Sequence, residues 1–178
     1  MGFSYTAPPP VVLVSSLGDY IAPAPESSHV FNFAAVDYDD DSIIVIDFDL
    51  TATLQFALGL RINGVAGNNY FTDGRRISAG VETIIDLNSQ NTIQIGSTSI
   101  FLGADNGAGG RIMIFLNRSG GLRRPFVVST IGGNIGGNEQ ISGHINQNQA
   151  TISSVELLTS ASTWQTNGRI TVYKRARS

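Results

Sequence analysis

The side chains with the clearest chemical potential in this chain are the acidic run Asp37-Tyr38-Asp39-Asp40-Asp41, two histidines, and a scatter of aromatic and arginine residues. Asp37, Asp39 and Asp41 copy the first three ligand positions of a calcium loop, because hard cations take several carboxylate oxygens. The copy then stops: Ser42 stands where such a loop needs glycine, and Phe48 where it needs a bidentate glutamate. The run reads as an acidic turn ahead of an apolar strand, with a calcium site completed by other loops as the alternative. His29 and His144 are the only histidines; they cannot supply three metal ligands and read as structural residues of strands. The chain has no cysteine, which excludes disulfides, a thiolate nucleophile and zinc–thiolate sites. Ser142-Gly143-His144 is not part of a Gly-x-Ser-x-Gly elbow, and no Gly-x-x-x-x-Gly-Lys phosphate loop is present. The glycine-rich stretches do not lead into a helix whose N-terminus would hold a phosphate. No enzymatic activity, no cofactor and no metal are expected.

Two sets of residues remain as contact candidates. Tyr70, Phe71 and Trp164 are aromatic residues whose rings would stack on a sugar or a partner. For Trp164, set in the turn between Ser160 and Gly168, the alternative is that it caps the end of the core. Pro8, Pro9 and Pro10, with Arg123 and Arg124, are candidates for contact between subunits. Nucleic acid is not an expected partner, since the net charge is −3 and the first 60 residues carry no Lys or Arg. Runs such as Ile43–Ile46 are far too short to span a bilayer, and no signal peptide is visible, so no membrane partner is expected.

These residues must be positioned by strands. Ile44, Ile46, Phe48 and Leu50 alternate with Val45, Asp47 and Asp49, and Phe56, Leu58, Leu60 and Ile62 alternate with Ala57, Gly59 and Arg61. The second set extends back to Leu54, alternating with Gln55, and period two puts the members of each set on opposite faces of a pleated strand. The same rhythm recurs at 111–117 and 169–173, with further candidate strands at 31–36, 81–87, 92–95, 99–102, 126–131, 140–145 and 151–158. Asn63-Gly64, Asp73-Gly74, Asn106-Gly107 and Asn167-Gly168 read as turns, and 105–110, 117–121 and 132–138 as long Gly-rich loops. At 178 residues the chain is the size of one domain. The expected organisation is an extended Pro-rich N-terminal arm over 1–28 and an all-β, antiparallel β-sandwich over 29–178. Charge is asymmetric: residues 1–60 hold eight acids and no base, and all eleven bases follow. That division suits head-to-tail assembly between subunits, or pairing within one.

The segment Ser160–Tyr173, a Ser/Thr/Gly-rich turn followed by Arg169, an alternating strand and a Tyr, is similar to the closing strand of small β-sandwich domains in tailed-phage virion proteins. Ile43–Leu50 and the strand ending Leu60-Arg61-Ile62-Asn63-Gly64 also resemble such domains. Lys174 stands where a glycine usually follows the closing Tyr. The resemblance implies a jelly-roll fold and a virion role. The expected function is that of a non-enzymatic capsid decoration or cement protein of a bacteriophage. It would be made in the host cytoplasm, placed on the capsid surface as a homotrimer, and bound to the major capsid protein or other virion proteins. The alternative is a glycan-binding, receptor-binding tip module of a tail or head fibre.

Overall fold

The alternating run at 43–50 forms the central strand β3 (Ser42–Ala52), with Ile44, Ile46, Phe48 and Leu50 buried on one side. The computed structural model describes residues 14–37, 42–52, 54, 56–78, 80–101, 106–119, 122–133, 137–160 and 162–176. These are organised as β-strands in two sheets, with no helix among them. The larger sheet has the order β1 (Val14–Ile21), β12 (Arg169–Ala176), β3, β8 (Asn106–Ser119), β9 (Leu122–Gly133), β10 (Asn138–Ile145), β5 (Tyr70–Ser78) and β6 (Val81–Gln90). The smaller has the order β2 (Ser28–Asp37), β11 (Thr151–Thr159), β4 (Phe56–Ile62) and β7 (Ile93–Phe101). Every ladder is antiparallel. The fold is an all-β sandwich.

The core lies between the sheets. Ile44, Ile46, Ile112, Ile114 and Val172 of the larger sheet are buried in one cluster with Phe56, Leu58, Leu60, Val155 and Leu157 of the smaller. Burying each such side chain contributes about 1.5–3 kcal/mol relative to leaving it in water. Four pairs nest one inside the next: β1 with β12, β2 with β11, β3 with β8, and β4 with β7. Outside that nest, β9, β10, β5 and β6 extend the larger sheet beyond β8. Strand β7 of the smaller sheet packs over the inner side of β9, β10 and β5. Gln94 donates its N–H to Thr72 Oγ1 at 3.1 Å, and Ser129 Oγ donates to the Ile95 carbonyl at 3.4 Å.

Several sequence expectations need correction. The arm is not free from Val14 onward: Val14–Ile21 pairs with Arg169–Arg175. Residues 22–26 are tied to the 164–168 turn by Ala22 N–H to Gly168 O (2.9 Å), Asn167 N–H to Ala22 O (2.8 Å) and a two-way bridge between Glu26 and Trp164. Pro23 and Pro25 still separate β1 from β2, since proline removes a ladder donor. Pro8, Pro9 and Pro10 lie outside the described residues.

Asp73-Gly74 is not a turn. It sits mid-strand in β5, where Gly74 faces Ile141 on one side and Ile85 on the other. A Cβ at Gly74 would stand 2.5 Å from the Gln140 carbonyl oxygen, so this glycine serves close approach of two backbones rather than chain reversal. Residues 106–110 are likewise strand, flanked by β3 and β9. Glycine there passes as loop by composition, but two neighbouring strands satisfy its backbone groups. Asn63-Gly64 is a turn as expected, both residues having positive φ (51° and 63°).

Candidate functional site

Ladder register arranges the outer face of the larger sheet in rows. Phe71, His144, Phe126 and Phe115 stand side by side across β5, β10, β9 and β8. The Phe71 and His144 rings stack with centroids 4.9 Å apart at 4°, and Phe126 and Phe115 lie 6.4 Å apart at 41°. Phe126 is 39% exposed. Two residues along, about 7 Å on the strands, the next row reads Asp73, Ser142, Val128, Met113, Val45 and Tyr173. The one after it reads Ile84, Arg75, Gln140, Thr130, Arg111 and Asp47.

An ion pair fixes the middle of this face. Arg111 donates from Nε and Nη2 to the two carboxylate oxygens of Asp47, at 2.7 and 2.9 Å, and Tyr173 donates its hydroxyl to Asp47 Oδ2 at 3.0 Å. The Arg111 hydrogen bonds hold the Asp47 carboxyl below its usual range against the opposing effect of burial. Burial, then the Asp47 carboxylate, push the Tyr173 hydroxyl up. On the smaller sheet Arg61 Nη1 donates to Glu156 Oε2 at 2.6 Å. Asp47 from the acidic first third thus finds its base within the same subunit, as the intramolecular reading of the charge asymmetry requires.

The larger sheet ends on both sides in long edge strands that carry apolar side chains into solvent. On β1 these are Val14 (59% exposed) and Ile21 (55%); on β6 they are Val81 (65%) and Ile84 (82%). Natural edges are usually blunted by charge, proline or a bulge, and here β1 has a register shift between Ser16 and Gly18 while β6 carries Glu82 and Asp86. Ile84 nonetheless stands nearly free, beside Arg75.

The structure separates the aromatic candidates. Tyr70 and Trp164 are fully buried. The Tyr70 hydroxyl accepts from Ile62 N–H at 3.1 Å and donates to the Val65 carbonyl at 3.0 Å, and burial raises its pKa. Trp164 donates Nε1–H to Glu26 Oε1 at 3.2 Å. Neither ring offers a face to a ligand, and Trp164 closes the end of the core as its alternative reading has it. Glu26 also lies 3.8 Å from His29 Nδ1. The His29 ring stacks on Tyr20 at 3.5 Å, and burial together with a hydrogen bond to Glu26 pushes the Tyr20 phenol up to about 12. Both histidines are therefore packed against aromatic rings.

Phe71 alone of the three stays on an outer face. Arg123 is anchored by its backbone, its N–H donating to Asn148 Oδ1 at 2.8 Å and its carbonyl accepting from Gln149 N–H at 2.8 Å. Arg124 beside it is half-buried and lies across the ladder from Asn117. Residues 38–41 lie outside the described residues. Among those described, no group of three or more His, Asp or Glu side chains comes together to hold a metal.

Sequence reasoning missed the row that joins Phe126 and Phe115 to Phe71. Phe126 and Phe115 were legible as strand residues, but their alignment with Phe71 depends on register between distant segments. No protein-family model, curated protein or solved structure matches the chain. No helix among the described residues is long and apolar enough to cross a membrane.

Proposed function

We propose that the protein is a non-enzymatic structural component of a tailed-phage particle, a decoration or cement protein on the capsid surface. It works as a homotrimer against the major capsid protein. The observation that carries this reading is the pair of opposite edges of the larger sheet, β1 and β6, each long and each bearing apolar side chains in solvent. An edge strand presents unpaired N–H and C=O groups as a template for another chain. Two unlike edges on one rigid sheet favour heterologous contact, which closes into a ring when the rotation allows it. The nested pairing of β1–β12, β2–β11, β3–β8 and β4–β7 supports the jelly-roll reading, an architecture that recurs in viral shell and lectin domains. Fold alone leaves the role open, so the reading rests on the edges and on the resemblance of the closing strand. The internal pairing of Asp47 with Arg111 moves the expected driving force from charge to apolar burial.

The test combines light scattering with negative-stain imaging of the protein mixed with expanded shells. A trimer that coats shells at micromolar concentration, and loses both properties with Val81→Lys and Ile84→Lys together, is the expected result. A folded monomer that leaves shells bare would overturn the proposal.

A further inference from the structure

We infer that the outer face of β9, β10, β5 and β6 is a binding groove for a neutral oligosaccharide, which adjoins the β6 edge proposed above for assembly and shares Ile84 with it. A shallow, widely open groove of about 660 Å³ runs across these strands, lined by Asp73, Arg75, Glu82, Thr130, Gln140 and Ser142. A second groove of about 330 Å³ shares Arg75, Thr130 and Gln140 with it and adds Asn138. The two are continuous through shared walls, so they suit a run of sugar units rather than one ring.

The lining offers what vicinal hydroxyls need. Asp73 accepts, Arg75 donates, and the Gln140 amide and the Thr130 and Ser142 hydroxyls do both. All stand on paired strands, so their spacing is preset at about 4.8 Å from strand to strand. Arg75 is held by Gln140 Oε1 at 3.2 Å and lies 3.8 Å from Glu82, and Ser142 Oγ donates to the Asp73 carbonyl at 3.3 Å. Among the described residues, the Asp73 carboxylate, the Gln140 amide nitrogen and the Thr130 hydroxyl have no hydrogen-bond partner. The apolar part of the lining comes from Val128 and Ile84, and the aromatic row of Phe71, His144 and Phe126 lies one row beyond it on the same face. Hydroxyl-binding groups beside apolar side chains match the two kinds of surface a sugar presents.

Other ligand classes fit less well. Two carboxylates against one guanidinium make the lining acidic, which repels phosphate, nucleic acid and uronate sugars. An extended peptide would take its main-chain hydrogen bonds from the β6 edge rather than from a sheet face whose backbone is already paired.

The test is a glycan array of neutral and acidic saccharides, followed by calorimetry with cellohexaose, maltohexaose, chitohexaose and an oligogalacturonate of matching length. Saturable binding of a neutral glycan, weakened about tenfold by Gln140→Ala and by Asp73→Ala and weaker still for the uronate, is the expected result. Both residues are exposed, so thermal unfolding and trimer formation should be unchanged in these variants, which keeps this test apart from that of the edges. No binding of any neutral glycan at millimolar concentration, or binding unaffected by both substitutions, would overturn the inference.

Discussion

Replacing Trp164 by alanine distinguishes a ring that closes the core from a ring held out to a ligand. The indole is fully buried in the main apolar cluster. Deleting a buried Trp side chain costs about 3–5 kcal/mol, transfer and cavity together. Loss of the Nε1–H bond to Glu26 adds about 1 kcal/mol. The two backbone hydrogen bonds between Glu26 and Trp164 survive the substitution, so the loss belongs to the side chain. The sum, about 4–6 kcal/mol, should lower the Tm by about 10–20 °C for a domain of this size. Trp164→Phe, which keeps most of the apolar volume, should lose well under half of that. Trp164 is the only tryptophan, so urea unfolding is followed by circular dichroism instead of indole fluorescence. A loss below about 1 kcal/mol with an unchanged m-value would refute the reasoning, because a ring so cheaply removed is not part of the core.

Asn63 holds a left-handed conformation (φ 51°) while its side chain donates to Gln149 Oε1 and the Thr151 carbonyl and accepts from the Ser153 and Ser154 N–H groups. Asn63→Ala should therefore cost about 2–4 kcal/mol in urea unfolding, and Asn63→Gly about 1 kcal/mol less because only the bonds are lost. Asp47→Asn tests the ion pair through pH. The carboxyl is held below its usual value in the folded protein, so its contribution is complete above the unfolded pKa of about 3.9 and disappears as pH falls through the lower folded value. Both partners are substantially exposed, so wild type should exceed the variant by less than about 1 kcal/mol at neutral pH. That gap should close as pH falls through the lowered folded value, and a gap that widens in acid would count against the pairing.

The legible parts of this protein are those written in neighbouring residues. Alternation of Ile44, Ile46, Phe48 and Leu50 with Val45, Asp47 and Asp49 names both faces of β3 without reference to anything else in the chain. Asn63-Gly64 announces its turn because few residue types tolerate positive φ. The same local logic misreads Asp73-Gly74: turn and close strand approach both call for glycine, and only the position of the Gln140 carbonyl tells them apart. It also places Val14–Ile21 in an arm, because prolines on either side of it look like linker until β12 is seen to pair with it.

Amino-acid order alone determined that this chain forms strands, which side chains of its central strands are apolar, and that cysteine chemistry is closed to it. Tertiary structure decided which strands are edges, that Tyr70 and Trp164 are core rings while Phe71 joins an outer row, and that Asp47 meets Arg111. The physical reason lies in register. A period of two assigns each residue to a face, but its neighbours across that face come from segments far away in sequence, and only the pairing of whole strands brings them together.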